Sequence, residues 1–276
     1  MLGDLHCHTR LSDGSSTIDD LVFYAKRGGL DFVAITDHDT MAGVTRATVL
    51  GKRYGIKVVP GIELSAYDTA RKRNVHILCY LPQKPERLLG ICSKVLESRN
   101  RAGQEMLGRA MRYYPITTEH VARYSSGSKA LCEAHIMNAI MDLGYTDRIY
   151  GPLYDELFDS WQGSCYVSIT YPDVRNVIDV IHSAGGLAVM AHPSRNDGFD
   201  LLEELCTKKL LEGVEYSHPG VGPEDKERIS QLAKHYGLIK TGGTDFHGYY
   251  SRRPQPLGSF VTQPEDIDEL YKLSKK

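Results

Sequence analysis

The chain has 276 residues, a quarter of them charged, and a formal net charge of −2. That balance excludes the broadly basic face needed to hold long duplex nucleic acid, but leaves room for a local site that binds a small phosphorylated ligand. No apolar run approaches the ~20 residues of a membrane span, and six scattered cysteines with no C-x-x-C pair point to a reduced, cytoplasmic protein.

Apolar patterning predicts a first strand over Leu2–His8, so close to the start that no signal peptide is expected ahead of it. Thr17 and Asp20 form a capping box before a helix carrying Leu21, Val22, Tyr24 and Ala25, and Gly28-Gly29 stops it. A strand at Phe32–Ile35, a helix over Ala42–Tyr54 and a strand at Lys57–Val59 follow. Gly61–Tyr67 and Val75–Leu81 read as two more strands, joined by the polar stretch Asp68–Asn74. Strands and helices that alternate in this way build a parallel sheet, open or closed.

After about Pro85 the pattern changes. Glu86–Arg112 and Ala130–Leu143 are helical, and strand signals are nearly absent until Tyr166–Ile169. The division predicted is a barrel from 1–99 and 164–276, interrupted by a helical insert at 100–163. Alternation resumes with a helix from Pro172 to Gly185-Gly186, then strands at Leu187–Ala191, Val214–Tyr216 and Leu238–Thr241. There is no internal repeat and no low-complexity tract.

Metal-type residues gather at the ends of these strands: Asp4-Leu5-His6-Cys7-His8, Thr36-Asp37-His38, Gly61-Ile62-Glu63, His76, Ala191-His192-Pro193 and Thr244-Asp245-Phe246-His247. A lone histidine is usually an ordinary core or surface residue, but His-x-His at a strand end puts two imidazoles on one face. Alternation sends Asp4, His6 and His8 one way and Cys7 the other, and makes Asp245 and His247 a co-facing pair. Imidazole and carboxylate without thiolate suit Mn²⁺, Fe²⁺ or Zn²⁺. Glu63, the one glutamate among these histidines, is placed to bridge two ions. His120, His182 and His235 stand outside the pattern, the last two in helices at the surface.

The segments DLHCHTRLSDG, AITDHDT, PGIELS, VHILCY, AHPSR and GGTDFHG together resemble the PHP (polymerase and histidinol phosphatase) family, most closely its nucleotide phosphoesterase branch with a helical insert. The resemblance implies a distorted (β/α)7 barrel with a helical insertion and two to three divalent ions, in a trinuclear site when full. One ion would take His6, His8, Glu63 and Asp245. A second would share Glu63 and add His76 and His192. A third would take Asp13, His38 and His247. The catalytic centre is then built around Glu63, Asp245 and His192. Asp4 would orient an imidazole; Asp37 would do the same or cap its loop.

Paired divalent ions can acidify water, neutralise phosphate charge and hold an in-line attack. No competing covalent or NTP-driven design is present, since the chain has no cysteine-phosphatase loop, no G-x-S-x-G and no G-x-x-x-x-G-K-[ST]. The expected function is hydrolysis of nucleotide phosphate esters, a nucleoside 3′,5′-bisphosphate or the end of a short oligonucleotide. Histidinol phosphate and a non-catalytic metal-bound scaffold are the alternatives. Arg195, His135 and His218 are the expected substrate contacts, with Arg195 either pairing with phosphate or facing solvent. Arg71–Arg73 either flanks the mouth or forms a solvated hairpin tip, and Arg252 and Arg253 carry the same ambiguity. Relatives often carry Gly-Arg-Pro-His where this chain has Cys132-Glu133-Ala134-His135; an acid in place of that arginine disfavours a second phosphate there. Oligomeric state is not legible.

Overall fold

The computed structural model describes residues 1–275. Seven strands form one sheet whose spatial order follows the chain: β1 (Gly3–Asp4), β2 (Phe32–Ile35), β3 (Lys57–Asp68), β4 (Arg73–Tyr80), β5 (Leu187–Met190), β6 (Gly213–Ser217) and β7 (Ile239–Gly242). β1, β2 and β3 pair parallel, as do β5, β6 and β7. β4 is antiparallel to both its neighbours, because the short 69–72 connection permits only a hairpin return. The sheet is therefore mixed, not parallel throughout. The seam between β7 and β1 is drawn together by Leu5 N–H donating to Gly242 O and His8 N–H to Phe246 O, which nearly closes a barrel.

Helices cover the outside. α1 (Ile18–Arg27) starts at Thr17, whose hydroxyl accepts from the Asp20 N–H, as the capping box predicts. α2 (Val44–Tyr54) follows β2. Between β4 and β5 come α3 (Leu89–Ala110), α4 (Thr118–Ser125), α5 (Glu133–Asp142), α6 (Pro152–Phe158) and α7 (Val174–Ser183). α8 (Phe199–Thr207), α9 (Pro223–Tyr236) and α10 (Pro264–Leu273) complete the shell.

Period-two alternation sorts the strand residues into two layers. Phe32, Ala34, Leu78, Tyr80, Leu187 and Val189 meet inside the barrel. Val33 and Ile35 face α1 and α2, while Ile77, Cys79, Ala188 and Met190 face α7 and α8. A separate apolar core runs from Ala102 to Cys165 and takes in Tyr250. Cys92 of α3 belongs to the barrel-side core and Ala102 of the same helix to the second, so the change of core falls inside one continuous helix rather than at a linker.

Three sequence expectations are corrected. Lys57–Val59 and Gly61–Tyr67 are one strand: Pro60 sits where β3 changes partner, and its carbonyl still accepts from Leu81 N–H. Only Gly3–Asp4 of the expected Leu2–His8 strand is regular; beyond it the chain bonds to both sides of the seam, Leu5 N–H donating to Gly242 O and Cys7 O accepting from Thr36 N–H. Tyr166–Ile169 pairs with no strand; its Val167 and Ile169 pack on the helical core instead.

The seam depends on a close approach. A Cβ at Gly243 would lie 2.4 Å from both Cβ and N of His6. Gly243→Ala is expected to push β7 from the His6 backbone, destabilising the protein by the ~1–3 kcal/mol typical of overpacking. It should also lower metal retention; thermal unfolding and elemental analysis together check this.

Candidate metal centre

The barrel brings all nine expected metal-type residues to one end. Glu63 lies at the middle. In the β3–β4 register it faces Leu78 and Ser65 faces His76, so these side chains point into the barrel together. Glu63 Oε2 lies 3.1 Å from His6 Nε2, 3.1 Å from His8 Nε2 and 3.4 Å from His38 Nδ1. Its Oε1 lies 3.0 Å from His76 Nδ1 and 3.2 Å from His192 Nε2. Asp245 Oδ1 stands 3.4 Å from His6 Nε2 and 3.3 Å from His8 Nε2. At the far side Asp13 faces His247 Nε2 at 3.4 Å and His38 Nε2 at 3.7 Å.

Ligand-type atoms of three groups lie within 4.8 Å of one another: His6, His8, Glu63 and Asp245; His8, Asp13, His38 and His247; and His38, Glu63 and His76. The first is the set expected for one ion. In the others His8 and His38 stand at the boundaries, and His192 joins through Glu63 and its ring contact with His76.

Hydrogen bonds at the back of the rings decide which nitrogen faces inward. Glu215 Oε1 accepts from His6 Nδ1 at 2.9 Å, and its Oε2 accepts from the His192 N–H at 2.8 Å. His247 Nδ1 donates to the carbonyl of Asp245 at 2.8 Å. With Nδ1 engaged at the back, His6 and His247 turn Nε2 to the centre as the atom that would bind a metal ion. His218 is set the other way: its Nδ1 accepts from Gly220 N–H at 2.9 Å, so Nε2 carries the proton, 3.3 Å from Asp245 Oδ2.

Among the described residues, His6 Nε2, both ring nitrogens of His8, Asp13 Oδ1, His38 Nδ1, Glu63 Oε2 and His76 Nδ1 are buried without a hydrogen-bond partner. Each such group costs about 1–3 kcal/mol unless something satisfies it, and here they converge on one small volume. Burial alone would raise the carboxyls of Asp13, Glu63 and Asp245; the facing imidazoles overcome it and hold all three well below the carboxylate range. Buried carboxylate oxygens and inward-facing imidazole nitrogens form a donor set that fits hard-to-borderline divalent cations. His192 and Asp245 also adopt positive φ, 26° and 50°, which non-glycine residues rarely take.

The other expected residues fall as follows. Cys7 is fully buried and points at Asp4, and burial pushes its thiol well above the usual range, so it is a packing residue. Asp4 orients no imidazole: it accepts from Thr244 N–H and hydroxyl and from Gly258 N–H. Asp37 holds Thr9 and Ser12. The orienting carboxylate is Glu215, which the sequence reading passed over inside an apolar strand. Arg195 Nη1 lies 3.1 Å from Asp245 Oδ2 in a pocket shared with Arg73, His76 and His192. His135 is buried; its Nδ1 accepts the Cys132 N–H and caps α5. Arg71 and Arg73 form no solvated tip, being paired with Asp68, Asp200 and Glu204. Arg252 pairs with Asp155 over Tyr150 and Tyr154. His182 is half-buried against Glu212 rather than free at the surface.

The PHP domain family matches residues 4–179. The chain belongs to the PHP family. A phosphoribosyl 1,2-cyclic phosphate 1,2-diphosphodiesterase of Eggerthella lenta is 39% identical to this PHP protein over 256 residues, 92% of this chain and 97% of the relative. A 3′,5′-nucleoside bisphosphate phosphatase of Chromobacterium violaceum is 28% identical over 275 residues, 97% and 93% of the two chains. A solved metal-dependent phosphoesterase of Bifidobacterium adolescentis superposes with a TM-score of 0.88 at 30% identity, covering 98% of this chain and 96% of the other. This PHP protein is accordingly a metal-dependent phosphoesterase, a hydrolase with the barrel expected from its motifs. Among the described residues no helix is long and apolar enough to cross a membrane.

Two substitutions separate the centre from its packing. Glu63→Gln removes the central charge; metal content should drop and activity fall by the ~10²–10⁴ that losing a key catalytic group costs. Cys7→Ser should keep metal content and lose stability through a polar atom placed in the core. Metal lost from Cys7→Ser, or retained in Glu63→Gln, would contradict these placements.

Proposed function

We propose that the protein hydrolyses phosphate esters of phosphorylated riboses, nucleotides among them, using two to three divalent ions. His6, His8, Glu63 and Asp245 hold one ion; Glu63, His76 and His192 hold a second; Asp13, His38 and His247 hold a third. The observation that carries this reading is the set of buried ring nitrogens and carboxylate oxygens without hydrogen-bond partners around Glu63. Mn²⁺, Fe²⁺ and Zn²⁺ suit that donor set. When bound, such ions supply an acidified water and offset the charge of the phosphate.

The chain's own residues do the rest. Arg195, more than half exposed and beside Asp245, pairs with phosphate oxygens arriving at the mouth. His218 Nε2 holds a proton at the edge of the centre and can donate a hydrogen bond to a phosphate oxygen there. Glu215 fixes His6 through its ring and His192 through its backbone. His135 acts from behind, by fixing the start of α5. Residues 100–163 cover the side of the centre that carries Asp13, and room for a ribose suits such a cover better than a small amino alcohol phosphate does.

A nucleoside 3′,5′-bisphosphate, an RNA end and the cyclic phosphate named for the Eggerthella relative share a ribose carrying phosphate. A Mn²⁺-supplemented screen of adenosine 3′,5′-bisphosphate, a 5′-phosphorylated short RNA, phosphoribosyl 1,2-cyclic phosphate and histidinol phosphate, read by ³¹P NMR so that ring opening is seen, tests this. At least one ribosyl substrate should exceed histidinol phosphate in kcat/KM by about tenfold, or ~1.4 kcal/mol of transition-state binding. A screen won by histidinol phosphate would overturn the reading.

A further inference from the structure

On the side of the centre away from Arg195 a second pocket opens between α3, α5 and the barrel. Asp13 and His38 form its inner wall, so whatever occupies it lies next to the reacting phosphate. Leu96, Met106, Leu131 and Ile169 supply apolar surface, and the polar groups facing it from the helices are Arg99 and Glu133. Arg99 is locked: Nε donates to Asp39 Oδ2 at 3.2 Å, Nη2 to Ser65 Oγ at 2.7 Å, and the guanidinium lies 5.4 Å from the centre of the Tyr171 ring. Its charge is already offset by Asp39.

Glu133 is different. Its side chain is partly buried, yet among the described residues no other side chain hydrogen-bonds or ion-pairs with its carboxylate. The carboxylate is thus open to a ligand entering the pocket. It also brings a negative charge into a pocket whose one arginine is already paired with Asp39, which disfavours a phosphate there. What a free carboxylate accepts well is a hydroxyl, and acidic residues recognise ribose in this way elsewhere.

We propose that this pocket is a sugar subsite in which Glu133 accepts a hydrogen bond from the free ribose hydroxyl next to the reacting phosphate. The apolar walls pack the ring face, and Arg99 keeps the pocket shape fixed. Glu133 thereby selects ribosyl over deoxyribosyl substrates. This rests on the phosphorylated-ribose reading above.

The test compares adenosine 3′,5′-bisphosphate with 2′-deoxyadenosine 3′,5′-bisphosphate on the Mn²⁺-loaded wild type, Glu133→Gln and Glu133→Ala. The ratio of the two kcat/KM values is internal to each protein, so metal loss or partial unfolding lowers both rates and leaves it unchanged. Wild type should favour the ribo form at least about tenfold, mainly through KM because the contact lies off the reacting atoms. The ratio should shrink in Glu133→Gln and approach one in Glu133→Ala. A wild type that hydrolyses both equally, or variants that keep the preference, would overturn the subsite while leaving the ribosyl reading intact. A wild type that cleaves p-nitrophenyl phosphate but neither nucleotide overturns the subsite, and overturns the ribosyl reading as well if phosphoribosyl 1,2-cyclic phosphate and the 5′-phosphorylated short RNA are also left intact.

Discussion

Glu63 is the interaction on which the rest of this molecule turns. One fully buried carboxylate stands within 3.4 Å of nitrogens from five histidines, delivered by four separate stretches of chain. A charge in that position is tolerable only if opposite charge meets it from several directions. A barrel end does this, because consecutive strands deliver their ends to one small circle. The same demand explains the antiparallel β3–β4 hairpin: it carries Glu63 and His76 into the interior side by side, which two parallel strands joined by a long crossover would do less directly.

The cost of this convergence is visible in the backbone. His192 and Asp245 occupy left-handed conformations, and Gly243 lets β7 touch the backbone of His6 where any side chain would intrude. Strain of this kind persists where surrounding contacts over-determine the geometry. Asp4 supplies much of that restraint. Its two oxygens gather Thr244 and Gly258 across the seam, so the carboxylate nearest the N-terminus fixes the position of Asp245 without approaching an imidazole.

The strand-end motifs were legible because each ligand follows an apolar run, and the barrel places such ends together whatever lies between them. β2, β5 and the capping box of α1 were readable for similar local reasons. Glu215 was not, because one acid within Gly213–Ser217 carries no mark that its strand neighbours His6, a residue 209 positions away. The resemblance makes Asp4 an imidazole partner and Asp37 an imidazole partner or a loop cap; in space Asp4 meets Thr244 instead, and Asp37 caps its neighbouring loop through Thr9 and Ser12. Tyr166–Ile169 has strand composition, but its Val167 and Ile169 lie partly buried against the helical core. The boundary expected near residue 100 falls within α3, since a continuous helix can serve two cores with no change in local pattern.

That continuity bears on how the helical segment relates to the chemistry. A detachable lid would touch the centre only through substrate. Here Lys129 N–H donates to Leu11 O and Ser128 Oγ to Ser12 O, which ties the segment to the loop bearing Asp13. Tyr250, three residues beyond His247, is buried in the segment's core, and Arg252 is clasped by Asp155, Tyr150 and Tyr154. The Asp13–His38–His247 end of the cluster is therefore held from outside the barrel, whereas Glu63, His76 and His192 are held by strands. Changes in helical packing reach the first end before the second. The helical segment is thus tied directly to the Asp13–His247 end of the cluster, and through Arg99 to Ser65 beside Glu63.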